Sequence, residues 1–320
     1  MKLIIQIPCL NEAETIGVTL SALPRTVDGF DTVEWLIIDD GSWDDTCEVA
    51  KEHGVDHIVR HKRHKGLARA FMSGIEECIR RDADVIVNTD ADNQYNAEDI
   101  PQLVAPIIAG RADVVIGARP IEDIQHFSRT KKVLQKLGSW IVRQISFTDL
   151  PDTTSGFRAL TREAARRTMV FSEYTYTLET IIQAGHRKLS IESIPVRVND
   201  YQRPSRLLKS IPAYIRQSAI TLIRIYVVYR PFHFFGSIGI GFFVIGFALG
   251  LRFFYYYLTG NGSGHIQSLI LTSVLLGMGF QTILIAFVAD LFSANRKILE
   301  DIRYFQTAED KQSNNQEEYD

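Results

Sequence analysis

What the chain lacks narrows its function first. Its 320 residues include only three cysteines, Cys9, Cys47 and Cys78, set far apart. No Cys-x-x-Cys or Cys/His spacing points to zinc, and an odd, scattered set makes no disulfide framework. Reduced thiols in a cytosolic domain are the expectation. The net charge of -3 is not the strongly basic signature of a nucleic-acid binder. No Gly-x-Gly-x-x-Gly follows the first strand-like run, and no Gly-x-x-x-x-Gly-Lys occurs, so dinucleotide and P-loop readings fall away. There is no internal repeat and no Gly/Ser-rich linker. No charged-then-apolar leader precedes residues 3–7, so no signal peptide is expected.

What is present is an alternation. Residues 3–7, 34–38, 57–60, 84–88 and 114–116 read as strands, short and rich in β-branched or apolar side chains. Residues 14–23, 45–53, 67–81 and 99–109 read as the helices between them. Asp99 and Pro101 mark the start of the last. Strands alternating with helices predict an α/β fold with a mostly parallel sheet covered on both faces. Further on, 131–147 has a basic helical pattern and 172–184 reads as a helix carrying Glu179. Residues 189–198 read as an edge strand broken by Pro195.

The character changes after residue 206. Residues 207–229 are apolar and aromatic, with Lys209, Arg216, Arg224 and Arg230 spaced along the segment, which suits helices in a membrane interface. Residues 232–258 and 266–289 are each long enough to span, since about 20 helical residues cover a ~30 Å hydrocarbon core. Arg252 is the only charge inside the first and lies near its end, where it can snorkel. The loop at 259–265 has no Lys or Arg, whereas Arg224, Arg230, Arg296, Lys297 and Arg303 flank the other side. That bias predicts both termini and the large domain in the cytoplasm. The tail after Phe305 reads as polar and disordered. The expected organisation is a catalytic domain over 1–206, interfacial helices over 207–230, two spans within 231–292 (about 232–258 and 266–290) and a polar tail over 293–320.

The chemistry concentrates at strand ends, where open α/β sheets bind ligands. Pro8-Cys9-Leu10-Asn11-Glu12 follows the first strand and Asp39-Asp40-Gly41-Ser42 the second. Asp40 is favoured as a ligand group, whereas Ser42 and Asp44 serve equally well as helix caps. Asp90-Ala91-Asp92 follows the fourth strand. Two carboxylates so close repel each other unless a hard cation intervenes, and Mg²⁺ or Mn²⁺ shares its shell with phosphate oxygens. An isolated Asp-x-Asp is more often a solvated turn. Its position in this series favours a metal-diphosphate site. The polar stretch from Asp149 to Arg158 has no evident core role and reads as a substrate loop.

In order along the chain, Pro8-x-x-Asn11-Glu12, Asp39-Asp40-Gly41-Ser42, Asp90-Ala91-Asp92-x-Gln94, Gly117-Ala-Arg119 and Asp152-x-x-Ser155-Gly156-Phe157-Arg158 resemble the family 2 glycosyltransferases, and among them the polyprenyl-phosphate glycosyltransferases. The resemblance implies a GT-A type domain and an inverting, metal-dependent transfer from a nucleotide-sugar, UDP- or GDP-linked, to undecaprenyl or dolichyl phosphate. Carried across, Pro8, Asn11, Glu12, Asp40 and Gly66 belong to the nucleotide pocket. Asp90, Ala91 and Asp92 form the metal-diphosphate motif, with Asp92 the more direct ligand. Gln94 stands near a phosphate, Arg119 is an anion contact, and Arg203 and Arg206 grip the diphosphate. Asp152 either orients the acceptor or acts as a weak base. Ser155, Gly156, Arg158 and Glu179 fall on the acceptor side. The chain departs from the family at His64-Lys65-Gly66-Leu67-Ala68 and in the compressed Arg203-Pro204-Ser205-Arg206. The implied cofactor is Mg²⁺ or Mn²⁺. The implied partners are the donor, the lipid acceptor and the membrane, with room for a homo-oligomer through the spans.

Two rival readings remain. One is a membrane glycosyltransferase acting on a hydroxyl of a glycolipid or polysaccharide. Against it, none of Trp35, Trp43 and Trp140 lies in a Gln-x-x-Arg-Trp motif, and two spans are few for a translocating channel. The other is a non-catalytic nucleotide-binding membrane scaffold, against which the retained Asp90, Asp92 and Arg119 argue.

Overall fold

The fold is that of a computed structural model, which describes residues 1–120, 140, 143, 150–170, 176–199, 220, 223–224, 226–260 and 262–317. The chain divides into two compact units, one built on residues 1–218 together with 307–320 and the other on 219–306. Most of the basic helix expected over 131–147 and most of the segment 207–230 lie outside the described residues, as do Arg203 and Arg206.

The first unit is organised on a sheet of seven strands: β1 (Lys2–Cys9), β2 (Thr32–Asp39), β3 (His57–Arg60), β4 (Val85–Asn88), β5 (Val114–Ala118), β6 (Arg158–Thr161) and β7 (Ile191–Pro195). Their spatial order is β3-β2-β1-β4-β6-β5-β7. All neighbouring pairs run parallel except β6, which is antiparallel to both β4 and β5. The expected mostly parallel sheet is therefore present, with one strand reversed. β6 corrects the reading of Arg158 as part of a loop, whereas Phe157 lies just outside the strand. β7 lies at the sheet edge and ends at Pro195, where a missing N–H costs no ladder bond.

The helices are α1 (Ile16–Ala22), α2 (Thr46–Glu52), α3 (Leu67–Arg80), α4 (Ile100–Ile108), α5 (Arg162–Arg167) and α6 (Thr177–His186). β1 shows why they cover both faces. Its alternate residues Leu3, Ile5 and Ile7 pack into one apolar cluster with Ile16 and Leu20 of α1 and Ile100, Leu103 and Val104 of α4. Gln6 points the other way, toward α3, where a Cβ on Gly74 would lie 2.3 Å from its Oε1. A polar side chain so buried needs partners. Gln6 Nε2 donates to Asn88 Oδ1 at 2.9 Å, which ties β1 to the end of β4.

The second unit is a pair of helices, α7 (Pro231–Leu258) and α8 (Ile266–Glu317) as far as Gln306, joined by a short 3-10 turn over Gly262–His265. Pro231–Leu258 and Ile266–Arg296 have mean hydropathies of 2.1 and 2.0, yet only 17% of each apolar window is buried. That exposure is foreign to the core helices of a water-soluble protein. Glycines let the two helices meet: a Cβ on Gly239 would lie 3.0 Å from Gly279 O, and one on Gly279 would lie 2.9 Å from Gly239 O. Small residues at such crossings are the usual means of close helix approach in lipid. The disordered tail expected after Phe305 is corrected, because α8 continues to Glu317. Residues 293–317 contain no Gly or Pro to stop it.

Candidate active site

The C-terminal ends of β1, β2 and β4 bring the expected motifs to one edge of the sheet. The first two loops are stitched together. Asn11 N donates to Ser42 Oγ at 2.8 Å and Trp43 N to Asn11 Oδ1 at 3.0 Å. Glu12 N donates to Thr46 Oγ1 at 2.9 Å and Ala13 N to Asp44 Oδ2 at 3.2 Å. Asn11 adopts a positive φ of 53°, a conformation in which Asn is enriched. Ser42 therefore bridges two loops rather than capping α2. Asp44 stands one residue outside the cap position, Asp45, and supports the start of α2 because its Oδ1 accepts from Thr46 N at 3.2 Å.

Asp39 and Asp40 are both buried and both fully engaged. Asp39 accepts from Ser42 N at 2.8 Å and pairs with Arg60 Nε at 3.0 Å. Asp40 Oδ1 meets His61 Nδ1 at 2.7 Å and Lys65 N at 2.9 Å. Its Oδ2 meets His64 Nδ1 at 2.8 Å and Gly66 N at 2.8 Å. Four donors thus occupy the two oxygens. The expectation that Asp40 offers a free oxygen to a ligand is corrected: Asp40 shapes the loop that leads from β3 into α3. Gly66 is part of that loop and has a φ of 95°.

The acid pair after β4 is different. Among the described residues, the single hydrogen bond to either carboxylate is Gln94 N to Asp92 Oδ1, at 3.1 Å. Burial first, then the charge of Asp92, pushes the Asp90 carboxyl up to about 7, although Arg119 and Arg158 pull it down. The loop itself is firmly held. Thr19 Oγ1 donates to Ala91 O at 2.8 Å, and Asn199 N to Gln94 O at 2.9 Å. Asp90 and Asp92 thus form a rigid, oxygen-only pair that repels itself and has almost no protein donors. A hard divalent cation fits such a pair. No group of three His, Cys, Asp or Glu side chains stands ready for a metal among the described residues, so further ligands would come from non-protein oxygens.

One wall of the site is the segment 152–158. Asp152 is completely buried and accepts from Arg119 Nε at 2.8 Å and Nη2 at 3.2 Å. Thr154 N and Oγ1 add donors at 3.1 and 2.9 Å. Burial alone would raise the Asp152 carboxyl. The Arg119 charge and these hydrogen bonds outweigh it and hold the group below the usual carboxylate range. An ionised acid with its lone pairs so occupied is a poor proton acceptor, which corrects the weak-base alternative. Arg119 in turn has much of its charge answered by Asp152.

Arg158 and Ser155 are corrected in the same way, since neither side chain reaches solvent. Arg158 donates to Thr177 O at 3.2 Å and to Ser155 O, bracing this wall against α6. Ser155 Oγ turns inward to Tyr95 Oη at 3.4 Å. Glu179 is buried on α6. Gly156 is where the wall meets the acid pair: a Cβ there would lie 3.0 Å from both Asp90 Oδ1 and Tyr176 Oη.

Three supporting residues have no motif to announce them. Tyr95 Oη accepts from Gly156 N at 3.0 Å. Asn88 Nδ2 donates to Gly156 O at 2.9 Å and to Tyr176 Oη at 3.0 Å. Tyr176 stacks on Phe71 of α3 with ring centroids 4.0 Å apart. Tyr95 follows the acid pair closely enough to be noticed in sequence. Tyr176 has no such local cue.

A mostly parallel sheet with an under-supplied acid pair beyond its fourth strand is the arrangement expected of the GT-A class of nucleotide-diphosphate-sugar transferases. Residues 4–168 match the model for glycosyl transferase family 2, and the chain belongs to that family. It is accordingly a glycosyltransferase. Glycosyltransferase AglJ of Haloferax volcanii is 29% identical over 291 residues, covering 89% of this chain and 91% of its own. A UDP-N-acetylglucosamine–dolichyl-phosphate N-acetylglucosaminyltransferase of Methanococcus voltae is 28% identical, over 60% of this chain and 83% of its own. Glucosyl-3-phosphoglycerate synthase of Mycobacterium tuberculosis, crystallised with Mn²⁺, UDP and its product, shares the fold. Its TM-score is 0.52 at 19% identity, over 69% of this chain and 79% of that one.

Proposed function

We propose that this chain transfers a sugar from a UDP- or GDP-sugar to the phosphate of a polyprenyl lipid, undecaprenyl or dolichyl, at the cytoplasmic face of a membrane. The observation that carries the proposal is the donor-poor Asp90/Asp92 pair in a chain that also has two long, exposed apolar helices. The names of the relatives, which include a dolichyl-phosphate enzyme, point the same way. In this reading residues 1–206 form the catalytic domain, 207–230 the interfacial helices, 231–292 the two spans and 293–320 a cytoplasmic extension.

Pro8, Asn11, Glu12 and Gly66 line the nucleotide side. Asp92, assisted by Asp90, would hold Mg²⁺ or Mn²⁺, with the Ala91–Gln94 turn keeping both acids in place. When bound, that ion supplies Lewis-acid neutralisation of the diphosphate leaving group. An acceptor phosphate oxygen attacks C1 of the sugar, the C1–O bond to the diphosphate breaks, and its electron pair leaves with the nucleoside diphosphate. Attack from the opposite side inverts C1. The acceptor is already anionic at neutral pH, so no side chain has to remove a proton. That agrees with an Asp152 committed to Arg119. Arg119, with its charge largely answered by Asp152, holds the wall of the site in place and adds little net field. Arg203 and Arg206 would supply the fixed positive charge beside the leaving diphosphate.

The test is transfer by purified protein in mixed micelles given labelled UDP- and GDP-sugars. Label entering a mild-acid-labile polyprenyl lipid supports the reading. Label entering only diacylglycerol or a polymer overturns it in favour of a hydroxyl acceptor. Nucleotide binding without any transfer overturns it in favour of a scaffold.

A further inference from the structure

The turn after β2 and the run after β3 adjoin the nucleotide side at Asn11 and Gly66, and beyond those two residues they form a surface to which the transfer chemistry above assigns no role. Trp43 is 85% exposed, the most exposed large apolar side chain among the described residues. Its backbone is nonetheless fixed by the bond from Trp43 N to Asn11 Oδ1. The run reads Arg60-His61-Lys62-Arg63-His64-Lys65, six basic residues in succession. The two segments touch. Arg60 Nη2 donates to Ser42 O at 3.1 Å, and a Cβ on Gly41 would lie 2.9 Å from both Arg63 C and His64 N.

Charge bookkeeping singles out three of the six. Asp39 takes Arg60, and Asp40 takes His61 and His64. Lys62, Arg63 and Lys65 are exposed, and among the described residues none has an acidic partner. Asp45 and Glu48 lie beyond Trp43 at the start of α2, so the uncompensated charge belongs to the 62–65 side.

Three free cations beside a bare indole match one chemistry closely. Indole rings settle at the headgroup level of a bilayer, and basic side chains are drawn to anionic lipid. The surface also stands at the C-terminal edge of the parallel strands, the edge that carries Asp90 and Asp92. An enzyme whose acceptor phosphate lies at a bilayer surface must turn that edge toward the bilayer. We propose that Trp43, Lys62, Arg63 and Lys65 form a docking surface for anionic lipid headgroups, which seats the open edge of the sheet on the membrane. The inference rests on the membrane-acceptor reading above.

The test uses the full chain in nanodiscs with a nitroxide headgroup label, without substrate. The signal is the fluorescence difference between wild type and Trp43→Phe. In discs rich in phosphatidylglycerol that difference should be strongly quenched. Quenching should fall in phosphatidylcholine discs and in the triple variant Lys62→Ser/Arg63→Ser/Lys65→Ser. The expected loss of docking is about fivefold for each cation. Equal quenching in all three samples, or none in any, overturns the proposal. So does a triple variant that quenches like wild type but binds UDP or GDP tenfold more weakly, since its cations would then serve the donor. Because no substrate is added, the two readings fail separately. A chain that docks but transfers to a hydroxyl refutes only the acceptor assignment. One that glycosylates polyprenyl phosphate without docking refutes only this surface.

Discussion

Two acidic pairs stand at the ends of the two strands that flank β1, and they are used in opposite ways. Asp39 and Asp40 are buried beneath donors from Ser42, Arg60, His61, His64, Lys65 and Gly66. Asp90 and Asp92 have only Gln94 N among the described residues. The first pair spends its charge on building a loop. The second keeps its oxygens available. The number of donors aimed at a carboxylate, rather than the carboxylate itself, separates an architectural acid from a chemical one.

Asp152 belongs with the architectural group, and it offers the largest effect. Arg119→Met should leave Asp152 buried without its cation and cost about 3–5 kcal/mol, read as lowered stability in denaturant. A loss below about 1 kcal/mol would mean the pair is not closed in solution. Next comes Asp92→Asn. It should lower kcat roughly a hundredfold to a thousandfold, as loss of one electrostatic stabiliser does, with Tm nearly unchanged. A large fall in Tm would move Asp92 to the architectural side of the comparison. Asp40→Asn should do the reverse. It should cost about 1.5–3 kcal/mol of stability through its charge-assisted bonds, by the same amount with or without a chelator.

Ligand linkage gives a further contrast. Mn²⁺ at about a hundred times its Kd should stabilise the wild type by about 2.7 kcal/mol. It should stabilise Asp40→Asn equally and Asp92→Asn hardly at all. Equal shifts in all three would place the ion elsewhere. The smallest effect is in pH. The folded Asp152 carboxyl is held below its unfolded value, so its contribution is complete above about pH 4 and is lost as pH falls through the folded pKa. The stability gap between wild type and Asp152→Asn should therefore be flat from about pH 5 to 8 and close only in stronger acid. A gap that changes near neutrality would contradict the assignment.

The strands β1 to β5 and the helices between them are legible in the sequence because their apolar runs are short and bounded by polar ends. β6 is not, since it opens on Arg158, and a fully buried arginine breaks the pattern that marks a buried strand. The acid pair after β4 is legible because its chemistry is local to three residues. The commitment of Asp40 is hidden because its donors lie 21 to 26 residues further along the chain. The same holds for Tyr176, which reaches Asn88 across 88 residues. Sequence shows which groups carry charge. Only folding shows which of those charges are already answered.

Gly156 carries a consequence of its own. The space that any other residue's first carbon would fill is taken by the Asp90 carboxylate on one side and the Tyr176 hydroxyl on the other. The clearance beside the acid pair is thus gauged by a single hydrogen atom. A methyl group at 156 would act as a shim driven between wall and acid, displacing Asp90 without changing any charge. Position 156 is therefore a mechanical control on the electrostatics of the site: a place where one carbon sets how far apart two chemically intact halves of the active site stand.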